Sequence, residues 1–320
     1  MKNNTTSLRQ SAQNVLRALN HVILGKEKVT AELMAAMAAG GHVLLEDVPG
    51  VGKTTLALAL SRVFGLDCRR MQFTPDVLPS DLTGFSVYRR DVQDFVYQPG
   101  AVLTNIFMAD EINRTSPKTQ SALLEVMEEG QVTVDGITRQ VPVPFFVVAT
   151  QNPYGAAGTQ MLPPAQIDRF MISMTMGYPD FESELEMAKG VSAGRRTEGL
   201  SVLMTREELL AVQQEVNEIY IHDAVYEYIL RLIRATREHP HIEMGASPRG
   251  TAALVKMSRA CAWLRGRDYV SPEDVSGQFL HVAAHRIQLN TKAVMEQIRR
   301  EQVLGQILKT VKRPVPVREK

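Results

Sequence analysis

Glu46-Asp47-Val48-Pro49-Gly50-Val51-Gly52-Lys53-Thr54-Thr55 is the stretch from which the fold is read. A short apolar run, His42-Val43-Leu44-Leu45, precedes it, and an apolar helical pattern over residues 56–64 follows. Strand, glycine loop and helix in that order form the setting of a phosphate-binding loop. Gly50 and Gly52 let the backbone turn its N–H groups inward with no Cβ in the way. The helix behind them offers unbonded N–H groups and the positive end of its dipole to an anion. Lys53 is placed to reach the outer phosphates of a nucleotide and the Thr54 hydroxyl to hold Mg2+, with Pro49, Val51 and Thr55 completing the loop. The pattern G-x-x-x-x-G-K-[ST] has Gly where this chain has Asp47, but Pro49 to Thr54 keeps the part that wraps phosphate. The lesser rival reading is a Gly/Pro turn before a helix that happens to carry Lys-Thr, and the rest of the chain weighs further against it.

At 320 residues the chain is long enough for two compact units with real cores. Its 44% hydrophobic and 22% charged residues are those of an ordinary globular protein. A net charge of +1 gives no overall electrostatic footprint for nucleic acid or an anionic membrane. Cys68 and Cys261 lie far apart without metal-ligand or redox spacing, and read as reduced packing residues in a cytoplasmic setting. No apolar run approaches the ~20 residues of a membrane span. The polar N-terminus is not expected to be a secretory leader.

Working outward from the loop, residues 7–23 and 27–39 carry helical apolar spacing, and Gly40-Gly41 leads into the first strand. Residues 68–73 predict a second strand. Residues 85–97 predict a hairpin with a charged tip, and residues 105–109 a buried strand closed by Asp110-Glu111. A helix over 117–129 follows. A second hairpin, 131–141, turns at Asp135-Gly136. Buried strands are expected over 144–149 and 171–176, with short helices over 163–170 and 181–189. The rhythm is that of an α/β fold, a parallel sheet covered on both faces and carrying two inserted β-hairpins. Composition changes over 190–204, read as a linker. Beyond it every element is expected to be helical, the last helix spanning 291–311. The division is residues 1–198 as an αβα nucleotide-binding core and 199–320 as an all-α lid.

Asp110 and Glu111 are the second half of the argument. Asp110 can supply an oxygen ligand to a nucleotide-bound Mg2+ near Thr54. Glu111, next in line, can orient and deprotonate water. The pair follows five uncharged, mostly apolar residues, which is uncommon for merely solvated acids.

With these motifs in order, together with Ala149-Thr-Gln-Asn-Pro153, Ala165-Gln-Ile-Asp-Arg-Phe170 and Gly245-Ala-Ser-Pro-Arg249, the chain resembles the AAA+ ATPases and, among them, the MoxR family. The resemblance covers nearly the whole chain. It implies a nucleotide-binding subdomain with a helical lid, and Mg2+-dependent ATP hydrolysis. It puts Asn152 at the position that holds the attacking water, and Arg169 at that of an arginine finger reaching the ATP of the next subunit. Arg249 falls at the second sensor, with its own or its neighbour's nucleotide as open alternatives. Ile23, Leu24 and Gly25 lie where such proteins hold adenine. Gln160, Pro164 and residues 100–103 depart from the family's usual pattern beside the finger helix and the first hairpin. The resemblance further implies a ring of identical chains, of hexameric size. Such a ring remodels or activates a client protein, often with a von Willebrand factor A-domain co-partner. The alternatives are a nucleic-acid motor, a nucleotide-controlled scaffold with little turnover, and a small-molecule kinase. Hairpin 131–141 carries one base and one acid, so nucleic acid is not the expected partner.

Overall fold

The computed structural model describes residues 2–47, 52–152, 161–189 and 197–314. Its centre is a five-stranded parallel sheet made of β1 (Val43–Glu46), β2 (Cys68–Gln72), β5 (Ile106–Asp110), β8 (Phe146–Gln151) and β9 (Ile172–Met174), in the order β2-β5-β8-β1-β9. Strands β1, β5, β8 and β9 are mostly apolar runs because both their faces are covered, whereas the edge strand β2 is largely exposed. Val43, Leu45, Phe146 and Val148 enter one buried cluster; Leu44, Phe107, Ala109, Val147 and Ala149 enter the other. This is the alternation that a pleated strand imposes.

The chain leaves β1 through helix Lys53–Phe64 toward β2 on one side, and reaches β9 on the other side of β1. Because every strand is parallel, all carboxyl ends share one edge. A crevice at that edge, where the strand order reverses, is where such sheets bind ligands.

His42 stitches the lower edge together. Its Nδ1 accepts from the Val147 N–H at 3.1 Å, and Nε2 lies 3.1 Å from the Met127 carbonyl, which requires the neutral imidazole. Removal from water pulls His42 down to about 4 from its ordinary 6.5, opposed by the Met127 carbonyl. The unfolded chain therefore takes up a proton below pH 6.5 that the native state refuses. The contribution is fully present above pH 6.5 and is lost as pH falls toward 4, by up to about 3 kcal/mol. Urea denaturation of the parent and of His42→Gln at pH 7 and pH 4.5 measures it; parallel losses in both would show that His42 is not the acid-sensitive group.

The first hairpin, β3 (Gly84–Arg89) and β4 (Asp94–Pro99), pairs Val87 with Val96 and Tyr88 with Phe95. At its base, a Cβ on Gly100 would lie 2.1 Å from the Leu82 carbonyl oxygen and 2.3 Å from the Gly84 nitrogen. Gly100→Ala must push backbone apart, and we expect it to cost at least ~1–3 kcal/mol, read as a lowered thermal midpoint. An unchanged midpoint would show the hairpin base to be loosely held. The second hairpin, β6 (Gln131–Val134) and β7 (Ile137–Gln140), turns on Asp135 (φ 53°) and Gly136 (φ 73°), as a type I′ turn requires.

The helical unit follows expectation in helices Arg206–Glu218, Asp223–Glu238, Pro248–Leu264 and Pro272–Ala283. Asp223–Glu238 buries Val225, Tyr228, Ile229, Leu232, Ile233 and Thr236, a single helical stripe. Two expectations are corrected. The unit is not wholly helical: β10 (Ile242–Met244) and β11 (Gln288–Leu289) form a small antiparallel ladder. The last helix is two, Thr291–Met295 and Arg300–Thr310, interrupted where Gln297 turns to φ 54°. The linker is also anchored where it is described, since Met204 is fully buried and its N–H bonds the Val63 carbonyl at 3.1 Å.

Helix Lys2–Val22 binds the two units together. Leu8, Ala12, Val15 and Leu19 are buried in a cluster that also holds Leu60, Val212 and Trp263. Arg9 pairs with Asp268 at 2.6 Å, and Gln13 donates to the Leu264 carbonyl at 3.2 Å. Among the described residues no helix is long and apolar enough to cross a membrane.

Candidate active site

Gly52, Lys53, Thr54, Thr55, Asp110 and Glu111 line one cleft of about 310 Å³ at the carboxyl ends of β1 and β5. Gly52 stands at φ 94° and starts the helix that carries Lys53 and Thr54. Pro49, Gly50 and Val51 lie outside the described residues. Lys53 Nζ donates to the Asp47 carbonyl at 3.1 Å. Burial pushes its pKa down, while the charges of Asp47, Asp110 and Glu111 hold it up.

The departure at Asp47 has a structural cause. Its carboxylate accepts hydrogen bonds from the N–H of Met176 and, at 3.0 Å, from that of Gly177. It ties the start of the loop to the chain leaving β9, work that glycine cannot do.

Asp110 is only 6% exposed, and its charge is met by Arg70 Nε at 2.6 Å. Thr150 on β8 links the two acids: its hydroxyl donates to Asp110 Oδ1 at 3.3 Å and accepts from the Glu111 N–H at 2.8 Å. Glu111 sits at φ 56°, ψ 49°, a left-handed conformation that costs a non-glycine residue about 1–3 kcal/mol. Strand β5 ends there, which brings the Glu111 carboxylate to the cleft, within 2.9 Å of Arg114. Asn152 follows β8 directly, so it stands between the ends of β1 and β5, and Asn113 Nδ2 donates to its carbonyl at 3.2 Å.

A second, larger cavity of about 750 Å³ opens at the ends of β1 and β9, bounded by Gly25, Glu46, Met174, Met176, Leu280 and His281. Of the three residues expected near adenine, Gly25 lines it, Ile23 is buried in the main core, and Leu24 is half-buried outside the lining. Gly25 needs to be glycine: it has φ 65°, and a Cβ would lie 2.8 Å from both Asp180 and Ser183.

Arg169 and Arg249 are brought together, but not in this cleft. Arg169 precedes β9, and Glu128 ends a helix descending from β5, so both stand at the opposite edge of the sheet. Arg169 Nε binds Glu128 Oε2 at 2.7 Å, and an Nη of Arg249 binds Oε1 of the same carboxylate. The hydrogen bond from Arg169, then the Arg249 charge, holds Glu128 below the usual carboxylate range. Asp168 pairs with Arg286 at 2.8 Å, and accepts from Ser247 Oγ at 2.7 Å. As its position predicts, Ser247 also caps the helix of Arg249, accepting from the Arg249 N–H at 3.0 Å.

The sequence reading missed Arg70, Glu128 and Arg286. No local spacing marks them, since each finds its partner across a distance that only the fold closes. Among the described residues no three or more His, Cys, Asp and Glu side chains gather as an all-protein metal site would need.

Comparison with known proteins agrees with this fold. Residues 42–172 match the ATPase family associated with various cellular activities (AAA), and residues 234–307 match the AAA lid domain. The chain is 38% identical to Chaperone MoxR1 of Mycobacterium tuberculosis, over 92% of this chain and 80% of that one. It is 48% identical to YeaC of Bacillus subtilis, over 93% of each. The crystal structure of a candidate ATPase from Cytophaga hutchinsonii superposes with a TM-score of 0.91 at 36% identity, covering 98% of both chains. A P-loop sheet followed by a helical lid is thus an AAA+ ATPase fold. Within that class the chain belongs to the MoxR family.

Proposed function

We propose that the chain hydrolyses ATP in a ring of identical subunits, each active site being shared between two of them. One observation carries this reading. The residues suited to bind nucleotide and activate water lie at one edge of the sheet, while Arg169 and Arg249 lie together at the other. A chain cannot bring its own arginines to its own phosphates. A neighbour can, which favours Arg249 acting in trans alongside Arg169.

Lys53 and the N-terminal amides of its helix bind the phosphates. Thr54 and Asp110 fit a hard divalent cation, since both offer oxygen and the buried Asp110 carboxylate already draws a positive charge from Arg70. Bound there, Mg2+ would neutralise phosphate charge. Glu111 accepts the proton of the attacking water and Asn152 orients it. Arg169 and Arg249, unable to lose their protons, stabilise the charge that develops on the neighbour's phosphate. Adenine occupies the cavity beside Gly25. The core is residues 1–198 and the lid 199–320, and their relative movement on hydrolysis delivers work to a client protein. A hexamer, with a von Willebrand factor A-domain co-partner, is the assembly we favour.

A nucleic-acid motor is disfavoured. Arg139, the one base of the second hairpin, stacks 3.7 Å from the Tyr97 ring centroid and bonds carbonyls of its own hairpin. The test of the proposal is ATPase rate per chain against chain concentration. A rate that rises and then saturates supports shared sites; a rate independent of concentration in a monomeric protein would sink them.

A further inference from the structure

The geometry points to Glu128 as a positioning residue that converges Arg169 and Arg249 into one fork for the terminal phosphate of ATP on a neighbouring chain. This inference rests on the shared-site reading above.

Three elements meet at this carboxylate: the end of helix Pro117–Glu129, the turn before β9, and the first turn of helix Pro248–Leu264. Their backbones are held rigidly. The Arg286 side chain is 2% exposed and ion-paired to Asp168. Its guanidinium also donates to the carbonyls of Asp168 (3.0 Å), Phe170 (2.6 Å) and Met171 (3.1 Å). Ser247 bonds Asp168 on one side and the Arg249 N–H on the other. The backbone around Arg169 and the start of the Arg249 helix are therefore one frame, built across the junction of core and lid. What the frame leaves unset is the direction of two long, flexible side chains.

Glu128 sets it. Two guanidinium groups so close repel one another, and a carboxylate between them offsets that repulsion. It does so without using up the pair. Arg169 spends Nε on Glu128, and Arg249 one Nη; among the described residues neither guanidinium makes a further hydrogen bond. With respect to those residues, both terminal nitrogens of Arg169 remain for an anion. The surroundings stay positive: a cavity of about 330 Å³ beside the pair is also lined by Lys256, two turns along the helix from Arg249. Arg286 and Asp168 cancel, leaving three cations against Glu128. That is a preorganised site for a phosphate, assembled before the neighbour arrives.

Glu128 is 37% exposed at its side chain, so its replacement should leave the fold intact. ATPase rates are measured at saturating chain concentration for the parent, Glu128→Ala, Glu128→Gln, Arg169→Ala and the double variant Arg169→Ala/Glu128→Ala. We expect Glu128→Ala to lower kcat on the order of tenfold through misplaced arginines. KM for ATP should hold within twofold, because the chain's own cleft is untouched. Glu128→Gln keeps the shape and loses the charge, and should show part of the loss. Because Glu128 then orients Arg249 alone, the double variant should lose less than about tenfold relative to Arg169→Ala, so the two losses do not multiply in full.

Mixed rings supply a readout that general damage would not give. Glu128→Ala mixed with Glu111→Gln should partly recover activity, since each supplies the edge the other lacks. Glu128→Ala mixed with Arg169→Ala should not. A Glu128→Ala chain as fast as the parent, with Arg169→Ala slow, overturns the role of Glu128 alone. One faster than the parent overturns it too, making Glu128 a brake. Should Arg169→Ala itself match the parent, the shared-site reading fails and this inference with it.

Discussion

A Lys53→Ala chain is expected to bind ATP about a hundredfold more weakly than the parent and to show no measurable turnover. Lys53 is half-buried in a cleft with two carboxylates, Asp110 and Glu111, whose charges, with that of Asp47, oppose the downward pull of burial on its pKa. Its ammonium is parked on the Asp47 carbonyl at 3.1 Å, a neutral acceptor that it can exchange for phosphate oxygens. Truncating one partner of such a charge-assisted pair costs roughly 2–5 kcal/mol, and each 1.4 kcal/mol is about tenfold in affinity. The loss is compounded, because without Lys53 the acids face the phosphates with less opposing charge. Titration with a fluorescent ATP analogue measures the affinity. Nucleotide-induced thermal stabilisation gives an independent check, since a ligand of the native state raises stability by its mass action. Binding within twofold of the parent would mean that phosphate does not sit at this loop.

Arg169→Ala should leave ATP binding intact and reduce turnover by about a thousandfold, the lower range of what an arginine finger contributes. The separation of effects follows from the two edges of the sheet. Lys53, Thr54, Asp110 and Glu111 belong to the chain's own cleft, whereas Arg169 stands beyond the other ends of the strands, on Glu128. With sites shared as proposed, losing Arg169 would remove charge from the site of the next chain and nothing from its own. Mixing Arg169→Ala with Glu111→Gln should therefore restore part of the activity, through interfaces where an intact cleft meets an intact finger. Equal affinity, lost turnover and recovery in the mixture are expected together. An inactive mixture, or a silent Arg169→Ala, would contradict the shared site.

What was legible in the sequence was local. The helix start at Gly52-Lys53, the Asp110-Glu111 strand end and the capped start at Ser247 are each written within a few neighbouring residues, and the structure has a helix start, a strand end and a cap at those positions. The hairpin turn at Asp135-Gly136 is of the same kind. What was not legible depends on distant partners. Arg70 meets Asp110 because β2 and β5 are neighbours in the sheet, which no spacing announces. Glu128 reads as an ordinary helix-end acid until the fold brings two arginines to it. Arg286 lies 118 residues from Asp168. The ladder Ile242–Met244 is three residues long, too short for a period to register. The break at Gln297 lacks the glycine or proline that would have signalled it. Asp47 was visible as an exception, but its reason lies in the chain beyond β9.

Helix Lys2–Val22, described above as joining the two units, also bears on the order in which the molecule can assemble during synthesis. Gln13 bonds the carbonyl of Leu264, a partner 251 residues later in the chain, and Arg9 bonds Asp268, 259 residues later. On the ribosome this helix must wait for 251 further residues before the Gln13 bond can form. Its apolar stripe of Leu8, Ala12, Val15 and Leu19 is covered meanwhile only by helices Glu27–Ala38 and Lys53–Phe64, and the later helices that complete its burial are still missing. Completion of the core thus falls late, when residues near 260 have been made. A protein whose relatives include a named chaperone is, for that interval, itself a nascent chain with an unprotected hydrophobic surface.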